Sequence, residues 1–151
     1  MTTTQVSALT ATQMGALQTT DVGEFADTQI AAFTGTQIAA LNTTNFAALA
    51  DTQIAALTTT QLGSVSTAQI TALTETQAAG LTTTQVGALS STQLKALTTT
   101  NLSALDANQM AALTSTQVAG LTTTQINSLT QADVGELTAT QIGGLTQTQI
   151  K

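Results

Sequence analysis

Apolar residues recur along the chain at alternating intervals of three and five. Starting at Thr2, the sequence divides without a gap into eighteen units of eight residues, which run to Leu145, and a partial unit over residues 146–151. The fifth place of the unit is apolar in all eighteen copies, and the eighth place is Leu in fifteen, with Phe25, Phe33 and Val65 as the exceptions. Self-similarity at one fixed period predicts a single repeat domain over residues 1–151.

The spacing within the unit indicates a helix. Positions three apart lie on one side of a helix but on opposite faces of a strand. The first place is Thr, Ser, Asp or Asn in fifteen units, and the fourth is Gln in fourteen. A hydroxyl or carboxylate followed three residues later by Gln forms a capping box, in which the two side chains satisfy free N–H groups at a helix start. The pattern therefore predicts a helix of roughly six residues in each unit.

One long helix is excluded because eight residues at about 100° each turn the apolar stripe roughly 80° past two full turns. The chain must bend once per unit to keep that stripe on one side. Acidic residues at the second place, Asp27, Asp51 and Glu75, recur every 24 residues and favour three units per coil. The prediction is an all-α solenoid with one short helix per octapeptide and about three helices per coil. Its core columns include Val6, Leu9, Ile30, Phe33, Ile38, Leu41, Ile54, Leu57, Ile70 and Leu73.

A triangular β-solenoid is the alternative. Thr and Ile favour strands, and the third and fifth places, such as Thr36 and Ile38, would share one face of a strand. A corner in each unit would then turn the eighth-place Leu inward. The helical fold is favoured, and both remain open on sequence alone.

Composition narrows the function. The chain has no Cys and no His, which removes the thiol nucleophile, the usual general base and the commonest metal ligands. Two basic residues and a net charge of −6 leave little to bind a phosphate backbone. No apolar run approaches the roughly 20 residues of a membrane span, and no signal peptide is visible at the start. We expect no catalytic activity, cofactor, metal or nucleic-acid partner.

Two pairs of carboxylates stand three residues apart and are the only candidates for acid–base or Ca²⁺ chemistry. They are Asp21 with Glu24, and Asp133 with Glu136. No EF-hand spacing accompanies either pair. We expect each Asp to replace the capping Gln and each Glu to lie on a solvated face.

Threonine columns form the most regular predicted surface. Thr58 and Thr82 stand at the first place, and Thr36, Thr60 and Thr84 at the third, each set repeating every 24 residues. Such charge-poor ranks of hydroxyls and methyls are similar to the faces of ice-binding repeat proteins. The ordinary role of these residues is to cap helices and solubilise edges.

The pattern L-[T/S]-x-x-Q-[I/V/L]-x-x-L occurs twice in succession from Leu113 to Leu129 and approximately throughout. It resembles the octapeptide-repeat tracts of large bacterial secreted or surface-associated proteins that are called adhesin-like. The resemblance covers the whole chain and implies an extended element at the cell surface or outside the cell.

The favoured function is a non-catalytic structural or interaction solenoid that serves as a spacer or a self-associating fibre element of a surface or extracellular assembly. Its first and last units are close to the consensus rather than being distinct polar caps. The coils could therefore stack head to tail between copies, or against neighbouring repeats of a longer chain. The alternative is a protein that binds ice or another regular surface through its threonine columns.

Overall fold

A computed structural model describes residues 1–151 and contains eighteen α-helices and no strand. Each helix has five or six residues and occupies one octapeptide. The helical prediction is confirmed, and the β-solenoid alternative is wrong for this chain. The helices are α1 Thr3–Ser7, α2 Ala11–Gly15, α3 Thr19–Gly23, α4 Asp27–Ala32, α5 Gly35–Ala40, α6 Thr43–Ala47, α7 Asp51–Ala55, α8 Thr59–Gly63, α9 Thr67–Thr71, α10 Glu75–Ala79, α11 Thr83–Ala88, α12 Ser91–Ala96, α13 Thr99–Ser103, α14 Ala107–Ala112, α15 Ser115–Ala119, α16 Thr123–Ser128, α17 Gln131–Glu136 and α18 Ala139–Gly143.

Helix starts follow the capping-box pattern. In α11, the Thr82 hydroxyl accepts a hydrogen bond from the Gln85 backbone N–H at 3.2 Å, and the Thr82 N–H donates to Gln85 Oε1 at 2.8 Å. The corner that follows α11 consists of two extended residues, Leu89 at φ −61°, ψ 132° and Ser90 at φ −68°, ψ 156°. No residue in the chain has a positive φ. The corners therefore need no glycine. A Cβ would crowd the preceding coil at the seventh-place glycines, whereas Gly23, Gly63, Gly135 and Gly143 at the sixth place have open space around them.

Three consecutive helices complete one coil, because the helices that pack together are three positions apart along the chain, α1 on α4, α2 on α5 and so on to α15 on α18. Fifth-place and eighth-place side chains fill the interior of the coil. Most of the residues assigned to the core columns are buried: Val6, Ile30, Ile38, Ile54 and Ile70 at 0% exposure, and Phe33, Leu41, Leu57 and Leu73 at 3–5%. Leu9, in the first coil, is partly buried against the same cluster.

Small residues set the distance between coils. A Cβ added to Gly80 at the seventh place would lie 3.3 Å from Asp51 Cβ at the second place of the preceding coil. A Cβ on Gly144 would lie 3.0 Å from both the Cβ and the carbonyl oxygen of Ser115. The pairing reverses at Gly35, where the second-place residue is the glycine and Ser64 occupies the seventh place. Neighbouring coils therefore approach closely where one member of each second-place and seventh-place pair is small.

The fourth-place glutamine links each coil to the one before it. Gln85 accepts from its own helix cap through Oε1, and its Nε2 donates to the carbonyl oxygens of Ile54 at 2.9 Å and Leu57 at 2.8 Å in the preceding coil. The two contacts fix the orientation of the amide, since only the oxygen accepts and only the nitrogen donates. We call this series of side chains, from Gln29 to Gln149, the glutamine ladder. Every member donates to the preceding coil except Asp133.

The exceptions in the ladder show why glutamine is used. Asn101 donates to the Leu73 carbonyl at 2.7 Å, but its shorter side chain forms no capping box with Thr98. Asp133 accepts from the Thr130 N–H at 2.8 Å but has no N–H to donate. Glutamine alone combines the reach with an acceptor and a donor.

We predict that Gln93→Glu lowers the free energy of unfolding by about 2–4 kcal/mol. Glutamate preserves the capping box, but it removes the donor to the Leu62 and Val65 carbonyls, which lie 2.8 and 2.9 Å from Nε2, and puts a carboxylate against them. Urea titration followed by the helical circular dichroism signal measures the change.

The matched control is Gln13→Glu, because Gln13 makes the same cap but is exposed and donates to no carbonyl. It should shift stability by less than about 0.5 kcal/mol. Equal losses in the two variants would contradict the ladder's role in joining coils.

Candidate functional site

Reactive side chains do not assemble into a site. No group of three or more His, Cys, Asp or Glu residues is placed to hold a metal ion. Asp21 and Glu24 of the first carboxylate pair are both exposed, and Asp21 accepts from the Gln18 N–H at 2.8 Å as a cap. No helix has the length and apolar character that crossing a bilayer requires.

The second carboxylate pair lies at a defect in the ladder. Asp133 is 8% exposed, and its Oδ2 accepts from the Thr130 N–H and, at 2.9 Å, from the Ser103 hydroxyl of the preceding coil. The Leu105 carbonyl, which a glutamine would contact at this position, receives no donor. Glu136 Oε2 is buried without a hydrogen-bond partner, and no hydrogen bond joins the two carboxylates. This arrangement is a weak joint between two coils, since a buried acceptor without a donor is costly.

The threonine columns divide into two kinds. Thr58 and Thr82, at the first place, use their hydroxyls as helix caps for Gln61 and Gln85. The third-place residues Thr36, Thr60 and Thr84 are exposed on one side of the solenoid, on successive coils, and their hydroxyls make no hydrogen bond within the chain. The third-place column is therefore the part of this surface that is free to bind water or a ligand.

The side of the first coil that points away from the stack, here called the leading face, carries free donors. Gln5 and Gln13 are exposed, and their Nε2 groups donate to nothing. The first coil also borders a concavity of about 320 Å³, which is lined by Met1, Leu17, Asp21, Glu24, Phe25 and Gln29. Phe25, which lines it, packs edge-to-face on Phe33, with the ring centroids 5.1 Å apart.

The opposite side of the stack, here called the trailing face, is apolar and carries free acceptors. Val134, Ile142 and Ile150, all at the fifth place, are 44%, 45% and 66% exposed, whereas fifth-place residues of the first coil such as Val6 and Met14 are at 0%. Fifth-place side chains therefore project towards the following coil. Leu129, Leu137 and Leu145 follow α16, α17 and α18 at the eighth place. Their carbonyl oxygens are the ones that a following glutamine would contact, and none of them receives a hydrogen bond.

Sequence reasoning assigned the fourth-place glutamine to capping alone and missed its contact with the preceding coil. A signal was available, because a capping box accepts Glu as readily as Gln, yet no unit has Glu at the fourth place. The exclusion of Glu indicates that the amide N–H₂ is used.

Comparison with known protein families identifies a repeat in the middle of the chain. Two overlapping segments, residues 54–91 and 86–123, match the sequence profile of the ALTTAQ repeat. The chain is a repeat protein. The comparisons with curated proteins and with solved structures each gave no match. The matched segments include part of the glutamine ladder and the threonines Thr58, Thr60, Thr82 and Thr84.

We predict that Asp133→Gln stabilises this repeat protein by about 1 kcal/mol, because the new amide can donate to the Leu105 carbonyl while still accepting from Thr130 N–H. Urea titration of the full chain gives the value. Asp21→Gln, at the same place in the first coil, has no preceding carbonyl to contact and should change stability little. A loss of stability in Asp133→Gln would show that the Ser103–Asp133 contact is worth more than the ladder bond it replaces.

Proposed function

We propose that the chain is a non-catalytic structural solenoid that acts as a spacer or fibre element in a surface or extracellular assembly. The observation that carries the proposal is the glutamine ladder, which ties each coil to the next along the whole stack. A polymer held only by flexible loops would not maintain a fixed distance between its ends. A stack in which each coil is hydrogen-bonded to the next and packed closely against it would maintain that distance.

The side chains of the solenoid support the same proposal. The chain lacks His and Cys, and no group of three or more of its carboxylates comes together in one place. Its interior is filled by apolar side chains. The resemblance to bacterial surface-associated repeat tracts supports a location at the surface or outside the cell.

If the solenoid is a spacer, its length should increase by a fixed amount with each coil that is added. The chain has no cysteine, so Thr12→Cys and Thr84→Cys give two unique sites for spin labels on one side of the stack. Inserting a second copy of residues 50–73 after Leu73 adds one coil between them. The distance between the two labels, measured by double electron–electron resonance, should increase by about 8–10 Å, the usual spacing of packed helices. The width of the distance distribution should be the same as in the labelled chain without the insertion.

The control inserts 24 Gly and Ser residues at the same junction. Such a segment has no core side chains and should leave the coils on either side stacked, so the distance should stay near that of the parent. A broad distance distribution after the coil insertion, or no increase, would contradict the spacer proposal.

A second candidate function is binding of ice or another regular surface through the third-place threonines. The free hydroxyls of Thr36, Thr60 and Thr84 on successive coils favour it. Thermal hysteresis of the folded chain measures it directly. Activity should be lost when Thr36 and Thr60 are changed to Lys and retained in Thr58→Ser with Thr82→Ser, which keep their caps. Absence of hysteresis in the folded parent chain excludes the ice-binding version.

A further inference from the structure

The interface between coils has two different sides. At every internal joint the later coil supplies amide donors and the earlier coil supplies carbonyl acceptors, as Gln61 does with Ile30 and Phe33. The earlier coil also supplies the fifth-place side chains that project across the joint, and the later coil covers them. The joint is therefore heterologous, with one surface fitting a different one.

The leading and trailing faces carry the two halves of this interface. Gln5 and Gln13 present unused Nε2 donors. Leu129, Leu137 and Leu145 present the carbonyl oxygens that such donors contact elsewhere in the stack. Val134 and Ile142 present apolar surface that is covered to 0–2% exposure at the fifth places of the first five coils.

Only one orientation of two copies matches these groups. Two trailing faces would set carbonyl against carbonyl, and two leading faces would set amide donor against amide donor. Either pairing leaves buried polar groups without partners, which is costly. A trailing face against a leading face lets Gln5 and Gln13 donate as at an internal joint, whereas Asp21, the remaining fourth-place residue of the leading face, has no N–H to donate, as at Asp133.

We propose that the trailing face of one molecule binds the leading face of a second copy, so that molecules add head to tail in the manner of successive coils. The inference rests on the proposed structural function and names its partner. Because the contact is heterologous and lies along the axis of the stack, it does not close on itself and produces a linear filament.

Two variants block the two faces separately. Val134→Lys with Ile142→Lys places charges on the trailing face and leaves the leading face intact. Gln5→Glu with Gln13→Glu keeps the two capping boxes but replaces the donors by carboxylates that would face carbonyl oxygens, and it leaves the trailing face intact. Circular dichroism checks that both variants are folded, which is expected because all four positions are exposed.

Sedimentation velocity over a range of concentrations tests the proposal. The parent chain should form a concentration-dependent series of oligomers, and each variant alone should associate at least about a hundredfold more weakly because a charge would be buried without a partner. An equimolar mixture of the two variants should form a 1:1 dimer and stop there, since only one intact joint can form. A side-wall control, Thr60→Lys with Thr84→Lys, should assemble as the parent does.

Three results would overturn the inference: a parent chain that stays monomeric at all concentrations, blocked variants that associate as strongly as the parent, or a mixture that gives no dimer. The second result would indicate lateral association or pairing of like faces instead. The label-distance experiment on a blocked monomeric variant tests the spacer proposal separately, so failure of assembly leaves that proposal standing.

Discussion

The coil stack depends on a side chain that can accept one hydrogen bond and donate others at the same time. The fourth-place amide accepts from the N–H of the residue that caps its own helix and donates to carbonyls at the end of a helix in the preceding coil, as Gln69 does with Ser66, Ile38 and Leu41. Short helices leave most of their N–H and C=O groups without partners inside the helix. The ladder satisfies donors of one coil and acceptors of another with a single residue, which allows five-residue helices to persist.

Direction in the stack follows from the same geometry. Donors point towards the preceding coil, and fifth-place side chains point towards the following coil, so every coil has a donor side and an apolar acceptor side. The size pairing between second and seventh places adds a steric requirement, seen at Gly80 with Asp51 and at Gly35 with Ser64. These contacts together make each joint specific for one orientation.

The fold uses most of the polar side chains of the repeat for capping helices and joining coils, and this determines what remains available for function. Glutamine amides, first-place hydroxyls and one carboxylate of the buried pair are all used in capping or in joining coils, as Thr82 and Asp133 illustrate. What remains on the outside is charge-poor and repetitive, with third-place hydroxyls such as that of Thr60 free for contacts with solvent. Such a surface suits a structural element, and the two unlike faces suit growth along one axis.

The sequence by itself determined the local structure. The three-residue spacing of apolar places and the capping-box pattern specify a short helix in each octapeptide, and the rotation of eight residues about a helix axis requires a bend at each one. The 24-residue recurrence of Asp27, Asp51 and Glu75 indicated three units per coil. These inferences work because they depend on residues close together in the chain, where spacing alone decides which side chains share a face.

Only the tertiary structure decided what the glutamines do across coils and which way the fifth-place side chains lean. Gln37 and the Leu9 carbonyl it contacts are 28 residues apart, and no local rule connects positions at that separation until three helices have closed a coil. The same holds for the unequal exposure of Met14 and Ile142, two residues at the same place of the repeat. The polarity of the stack comes from the direction in which successive coils stack, and the two unlike faces follow from it. A repeating sequence does not specify that direction.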